Sequence, residues 1–409
     1  MEEERVIRAT WALRALGVLL IQGTVAAAGP QEITNGATPA EGRATLTLEE
    51  QWRVGADEED VLLGVIRDVE IGPSGEFYLL DSQLSQVHVF SPTGDYLQSL
   101  SREGEGPGEC RQPVDLVLLS PQEIGIVQGF PGKMIKLDVG GMPLGTVQFG
   151  SNDPTQGGFR FVQDVRARGG LMAYAGTEMR QTDEGMHNSR FIAYCSTEGV
   201  DRTRILEREG GDPVRTGKWV EADEYFPMGG RWALGPQGRF FVATERDRYA
   251  IEVYDRDGRR ERVITRDFEP RKRTAAEKEG VEGISIVANG EAIAIDNVIA
   301  DYEPCIGSLH VMDDGELWVA HSRSADDPPA GVMLTYDVFA PDGRFVRQVS
   351  IACEGVAEED RLFPLDEGRF ALVRGFSNSL RIEIGGGDSP DEAPVEDLAP
   401  LQVIYYTSG

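Results

Sequence analysis

Short runs of alternating apolar and polar residues, each preceded by a turn that contains glycine, recur along most of this chain. In the clearest copies a polar turn leads into an apolar run rich in aromatic and β-branched residues. These copies lie at residues 73–80, 236–243, 313–320 and 366–373. Glycine allows the positive φ of a tight hairpin, and the residues after it favour a half-buried strand. Each copy therefore predicts a β-hairpin.

A second unit is an apolar strand followed by a polar turn that ends in glycine. Its six copies end at Gly94, Gly141, Gly199, Gly258, Gly343 and Gly409. Five copies are followed by another alternating strand, but the sixth stops at Gly409. Residues 43–54 alternate with period two and precede the first hairpin, so they can supply the missing strand. The repeats predict an all-β fold, a six-bladed β-propeller whose N-terminal strand closes the last blade.

The repeat positions also predict the extent of each blade. The expected blades are residues 62–101, 113–149, 161–208, 230–266, 305–352, and 360–409 together with 43–54. The segments 209–229 and 267–304 are then insertions between blades. Two interpretations are equally favoured: the insertions carry function, or the fold simply tolerates longer loops at these places. Within the longer insertion, Thr274 and Glu277 form a capping-box pattern that predicts a short helix.

The first 28 residues have the pattern of a secretory signal peptide. Three arginines precede an apolar run, and Ala26, Ala27 and Ala28 provide a small-residue cleavage site. The run is too short to span a membrane. We expect cleavage near Ala28, a secreted or periplasmic protein, a flexible linker over 29–42 and a propeller over 43–409. The alternative is an uncleaved N-terminal helix on a cytosolic protein.

Composition restricts the partners. The 40 Lys and Arg residues against 69 Asp and Glu give a net charge of −29, which argues against binding to nucleic acid or anionic lipid. Neutral or cationic partners are favoured, and we expect a monomer. The cysteines, Cys110, Cys195, Cys305 and Cys353, are too widely spaced for a zinc motif and leave disulfide pairing open.

Sequence motifs for common chemistries are missing. The chain has no GxSxG, HExxH, P-loop or EF-hand pattern. Its histidines, His88, His187, His310 and His321, are isolated from one another. Trp232 and Trp318 fall within predicted strands and are interpreted as core residues. No catalytic residue is identified from the sequence.

One group of carboxylates occupies a repeated position. Asp68, Asp115 and Asp164 each lie near the start of an inner strand in three consecutive blades, so closure would place them around one end of the central channel. Like charges held close together raise one another's pKa or recruit a cation, most simply Ca²⁺ or another divalent ion. The alternative is that each aspartate only bonds backbone at a strand start. The other blades offer Arg231, Ser308 and Asp360 near this position.

Further oxygen ligands could come from the long insertion. Asp296, Asn297 and Glu303 would extend the metal site if that insertion covered the channel mouth. The alternative is that they are solvated loop residues.

The connector 104–109 with Pro113, after the strand and turn of residues 87–94, resembles the blade junction of NHL-repeat proteins and of the related bacterial six-bladed β-propeller family. Residues 302–319 are similar to a late blade of that family. The resemblance implies the fold and a secreted setting. It implies no single activity, because some relatives are binding modules and others are metal-dependent lactonases or lyases.

Two functions follow from these observations. The first is a secreted, non-catalytic binding or scaffold module for a protein, peptide, glycan or small molecule. The second is a divalent-metal-dependent hydrolase or lactonase, in which a cation at the channel mouth polarises a carbonyl and a carboxylate acts as base.

Overall fold

Six antiparallel four-stranded units surround a central channel, as the sequence predicts. The computed structural model describes residues 29–55, 61–150, 158–182, 185–281, 283–284, 286–288, 291–383 and 401–408. The predicted signal peptide and Gly409 lie outside these residues. No helix in the described ranges is both long enough and apolar enough to cross a membrane.

The N-terminal strands are β1 (Gln31–Asn35) and β2 (Arg43–Val54). Blade one contains β3 (Ile66–Ile71), β4 (Phe77–Asp81), β5 (Gln86–Phe90) and β6 (Tyr96–Leu100). Blade two contains β7 (Pro113–Ser120), β8 (Glu123–Gln128), β9 (Lys133–Asp138) and β10 (Pro143–Gln148). Blade three contains β11 (Gly158–Arg168), β12 (Leu171–Thr182), β13 (Gly185–Cys195) and β14 (Asp201–Glu209).

After α1 (Pro213–Thr216) and β15 (Lys218–Val220), blade four contains β16 (Trp232–Leu234), β17 (Phe240–Val242), β18 (Ala250–Tyr254) and β19 (Arg260–Arg266). The long insertion holds α2 (Ala275–Glu279), β20 (Ile286–Ala288), β21 (Glu291–Ile293) and β22 (Asp296–Val298). Blade five contains β23 (Ile306–Val311), β24 (Leu317–His321), β25 (Val332–Phe339) and β26 (Phe345–Ala352). Blade six contains β27 (Arg361–Leu365), β28 (Arg369–Arg374), α3 (Phe376–Glu383) and β29 (Gln402–Ser408).

The hydrophobic core is divided among the interfaces between neighbouring blades. Six clusters of buried apolar side chains occur, one for each pair of adjacent blades around the ring. Between blades six and one, the Trp52 and Phe77 rings lie 4.8 Å apart and the Phe77 and Tyr405 rings 4.5 Å apart. Because each sheet packs against a neighbour on both faces, β4 is buried at every position.

Ring closure occurs as the sequence predicts. The second half of β2 pairs antiparallel with β29, from Leu48 opposite Ser408 to Val54 opposite Val403. Trp52 lies against the turn of blade one, where its Nε1 donates to the Pro92 carbonyl at 3.2 Å. A Cβ on Gly94 would lie 2.7 Å from the Trp52 ring, and Gly94 also has a φ of +88°, so this turn accepts only glycine comfortably.

The N-terminal segment does more than close one blade. Residues 43–47 of β2 pair in parallel with β26, the outer strand of blade five. The expected linker 29–42 contains β1, which pairs in parallel with β19 as a fifth strand of blade four. An outer strand leaves unpaired N–H and C=O groups, which explains why this polar segment becomes a strand instead of a linker. We call residues 31–54 the N-terminal strap.

Other local predictions have clear outcomes. The capping box is present, with Thr274 accepting from the Glu277 amide and Glu277 accepting from the Thr274 amide, and it begins α2. The helix α3 interrupts blade six and was not predicted. All four cysteines are free thiols. Trp232 and Trp318 are buried in the core, as expected.

Candidate binding site in the central channel

The three predicted aspartates reach the same position through the same backbone irregularity. In blades one, two and three the inner strand carries a β-bulge, and the extra residue is Arg67, Val114 or Gln163. Asp68, Asp115 and Asp164 directly follow these extra residues. Blade five has the same bulge, followed by Ser308. A bulge redirects the side chain beside it, so the repeated irregularity places equivalent side chains together.

Two of the aspartates join neighbouring blades. Asp68 accepts from the amide of Leu116 in blade two at 3.3 Å. Asp115 accepts from the amide of Val165 in blade three at 2.6 Å. Each also accepts from the amide that follows it, at 3.0 Å for Asp68 and 3.1 Å for Asp115. The backbone-bonding alternative is therefore observed, and it extends across blades.

Arg166 provides the positive charge beside these carboxylates. Its Nη1 lies 3.2 Å from Asp115 Oδ2 and also forms an ion pair with Asp164. The carboxyl groups of Asp68, Asp115 and Asp164 are close enough for the charge of one to raise the pKa of another, so it is unfavourable for all three to be ionised together.

Burial is the main reason that these carboxyl groups are hard to ionise. Desolvation, followed by the charge of Asp115, raises the pKa of Asp68 to about 8. Desolvation and the nearby Asp68 raise the pKa of Glu70 to about 8. The pKa of Asp115 rises only to about 6, because Arg166 opposes the effect of burial. At neutral pH, Asp68 and Glu70 are therefore largely protonated, whereas Asp115 is largely charged.

Asp68, Glu70 and Arg166 line a cavity of about 580 Å³ to which the inner strands of all six blades contribute. Arg361, the first residue of β27, lines it with its side chain between two aromatic rings. Its Cζ lies 4.7 Å from the centre of the Phe363 ring and 5.1 Å from that of Phe376. Within the described ranges, no hydrogen bond or ion pair engages its guanidinium. Desolvation lowers the pKa of Arg361 from its usual high value, and the group remains cationic.

A histidine of blade five also lines this cavity and contacts a serine. His310 Nε2 lies 3.2 Å from Ser308 Oγ. Burial, together with the charges of Arg361 and Arg166, lowers the pKa of His310 to about 3. His310 is therefore neutral at physiological pH.

The remaining predicted ligands lie elsewhere. Asp296 and Asn297 are in β22, which pairs with β15, and the Asn297 side chain bonds the backbone of Ile284. Glu303 forms an ion pair with Arg271. No contact in the described residues joins these three to the channel aspartates.

The two other residues near the repeated position are also engaged outside the cluster. Arg231 donates to the carbonyls of Ile306 and Met228. Asp360 accepts from the amides of Val356 and Gly375. Among the described residues, no group of three or more His, Cys, Asp or Glu side chains is arranged to hold a metal ion. Calcium binding at the aspartates stays a prediction.

The sequence did not lead us to two basic residues of the site, Arg166 and Arg361, or to one of its acidic residues, Glu70. Glu70 follows Asp68 by two positions and Arg166 follows Asp164 by two. Side chains two apart in a strand share a face, so both could have been assigned to the channel once the aspartates were. Arg361 is the first residue of the inner strand of blade six. Only the structure shows the direction of its side chain, which packs against the rings of Phe363 and Phe376.

A second cavity of about 570 Å³ lies among blades one, two and three and the end of α3. Phe130 and Phe161 stack in its wall with ring centres 4.7 Å apart. Arg67 and Glu383 pair across it at 2.9 Å, which connects α3 to blade one.

Comparison with known proteins agrees with this architecture. Residues 57–152, which include blades one and two, match a family described as 6-bladed beta-propeller. A search of curated proteins found no relative of this chain.

Several solved structures are similar to this chain. Regucalcin from Agrobacterium tumefaciens, a calcium-binding protein, is 14% identical, with a TM-score of 0.42 over 90% of this chain and 97% of the other. The PQQ-bound aldose sugar dehydrogenase from Streptomyces coelicolor is 11% identical, with a TM-score of 0.42 over 88% and 97%. Virginiamycin B lyase from Staphylococcus aureus is 11% identical, with a TM-score of 0.35 over 87% and 98%. Similarity at this level says nothing about what this chain binds. From its own strand pairing and the match over its first two blades, this protein is a six-bladed β-propeller.

Proposed function

We propose that this protein is a secreted, non-catalytic binding module that takes its ligand into the central channel. The observation that carries the proposal is the cavity of about 580 Å³, which all six blades line and in which guanidinium and carboxyl groups converge. Ligand sites of proteins have volumes of about 300–1,000 Å³ and combine apolar walls with a few directed polar groups. Secretion rests on the signal-peptide pattern of residues 1–28.

Two observations favour binding over catalysis. Ser308 and His310 are within hydrogen-bond distance, but a histidine with a pKa of about 3 is a weak general base near neutral pH. In addition, the Arg166 guanidinium is paired with both Asp115 and Asp164, at the position where the hydrolase hypothesis requires a divalent cation.

Partial filling of the channel tests the proposal. Ala167 lines the cavity, so Ala167→Phe should obstruct it, whereas Ala44→Phe adds the same ring to an exposed position of β2. We expect at least one member of a panel of short peptides, neutral oligosaccharides, organic acids and divalent cations to raise the Tm of the wild type and of Ala44→Phe, but not of Ala167→Phe. Stabilisation that is equal in all three proteins would contradict binding in the channel.

A further variant, Ser308→Ala, separates binding from hydrolysis. We expect wild type and Ser308→Ala to hydrolyse p-nitrophenyl acetate and simple lactones at the same background rate. A wild-type rate at least tenfold above that of Ser308→Ala would show that the site is catalytic.

A further inference from the structure

We propose that the ligand of the channel is a small carboxylic acid whose carboxylate is bound by the guanidinium of Arg361. This inference rests on the proposed function, because it identifies the chemical class of ligand that the channel takes.

The first argument is that the guanidinium of Arg361 faces the channel without a hydrogen-bond or ion-pair partner among the described residues. Its side chain is exposed to the channel, and no described side chain or carbonyl forms a hydrogen bond or an ion pair with its guanidinium. The rings of Phe363 and Phe376 contact the cation and limit its movement. A guanidinium held in this way keeps its N–H donors available, and their fork geometry matches the two oxygens of a carboxylate.

The second argument is the lack of a direct ion pair at Arg361. Arg166 forms ion pairs with Asp115 and Asp164. Asp68, Asp115 and Asp164 act on Arg361 only through charge interactions at longer range. A ligand carboxylate can therefore make a direct contact with Arg361 that no described carboxylate makes.

The third argument is the Glu70 side chain, which also lines the cavity. No hydrogen bond engages this side chain in the described part of the chain. It can therefore bond a hydroxyl group of the ligand, since a hydroxyl group both donates and accepts. A hydroxylated organic acid provides both the carboxylate for Arg361 and further oxygens for Glu70. The cavity volume of about 580 Å³ limits the ligand to a small molecule.

Isothermal titration calorimetry with matched ligands tests this inference. The carboxylates are acetate, D-gluconate and D-glucuronate, and the neutral partners are acetamide, D-glucose and D-glucuronamide. We expect at least one carboxylate to bind the wild type at least tenfold more tightly than its neutral partner. Arg361→Gln should remove that preference. Arg344→Gln should keep it, because Arg344 is an exposed turn residue paired with Asp342. Thermal melts of Arg361→Gln without ligand establish that the variant is folded.

Failure of this inference can be told apart from failure of the proposed function. The carboxylate assignment is overturned if no carboxylate binds, if the neutral partners bind equally well, or if Arg361→Gln keeps the preference. In that case a neutral or cationic ligand whose binding is lost in Ala167→Phe would still support a channel-binding protein. If no ligand binds in a manner that depends on Ala167, both proposals fail.

Discussion

At the start of the inner strands, single residues determine both how blades connect and what charge the channel carries. Asp68 illustrates this double role, since it accepts from the Leu116 amide of the next blade, and burial and the charge of Asp115 raise its own pKa. The sequence identified Asp68, Asp115 and Asp164 as a set because they recur at one repeat position. The position of Arg166, two residues after Asp164, could have indicated its place in the channel, but not its contact with Asp115, which lies 51 residues away in the chain.

The raised pKa of Asp68 predicts the pH dependence of stability. An unfolded aspartate titrates near pH 4, and the folded Asp68 near pH 8. The folded protein therefore binds more protons between these values, and the free energy of unfolding should fall as pH rises from about 4 to 8. Below pH 4 the group is protonated in both states and has no effect.

Asp68→Asn removes this titration while keeping an oxygen that accepts from Leu116. We expect the variant to lose less stability than the wild type between pH 5 and 8, with a Tm higher by about 2 °C or more at pH 8. Differential scanning calorimetry across that pH range measures the difference. Asp342→Asn, at an exposed turn, is the control and should follow the wild type. A Tm loss in Asp68→Asn that is the same at every pH would argue that the carboxyl group is charged in the folded state.

At the scale of elements, the N-terminal strap connects three consecutive blades. It adds β1 to blade four, pairs residues 43–47 with blade five, and supplies the last strand of blade six. Asn35, the last residue of β1, links the contact with blade four to the contact with blade five. Its Nδ2 donates to the carbonyls of Thr265 and Gly343 at 3.0 and 3.1 Å, and its Oδ1 accepts from the Phe345 amide at 2.8 Å.

Replacement of Asn35 by alanine should weaken the strap. Asn35→Ala leaves three backbone groups without their partner, and we expect a loss of about 1–3 kcal/mol in the free energy of unfolding. Urea denaturation measures this loss. Thr38→Ala, at an exposed position of the same segment, should change stability by less than about 0.5 kcal/mol. Equal effects of the two substitutions would show that Asn35 does not hold the strap in place.

The elements that the sequence predicted best are those with strong local signals. Hairpins with glycine turns, the capping box of α2 and the alternation of residues 43–54 all describe local geometry, and the structure contains each of them. The strand β1 has no such signal, because residues 31–35 contain only one apolar side chain, Ile33, and become a strand only when they pair with the outer edge of blade four. The helix α3 was missed because it is inserted within a blade whose flanking strands the pattern already explained.

At the scale of the whole molecule, a closed ring carries a net charge of −29. Within the part of the chain that the structure describes, each pair of neighbouring blades buries its own apolar cluster. The acidic residues are distributed over a compact molecule, and their mutual repulsion opposes folding.

This repulsion predicts a stabilising effect of salt. Ions shorten the Debye length from about 30 Å at 0.01 M to about 10 Å at 0.1 M and so weaken interactions between exposed charges. We expect the Tm to rise by a few degrees between 10 and 300 mM NaCl, measured by circular dichroism. Choline chloride, which supplies ionic strength with a different cation, should give the same rise. A fall in Tm would mean that the surface ion pairs outweigh the net repulsion, and a rise with Ca²⁺ alone would point to specific ion binding.

The sequence by itself determined the all-β class, the six blades, the closing strand and the set of three aspartates. These features follow from period-two alternation and turn chemistry, which act between residues close together in the chain. Only the tertiary structure decided which strand edges the N-terminal strap covers, which guanidinium groups face the carboxyl groups, and which acids hold protons. Those properties depend on burial and on charges brought together from different blades, and no local pattern encodes either of them.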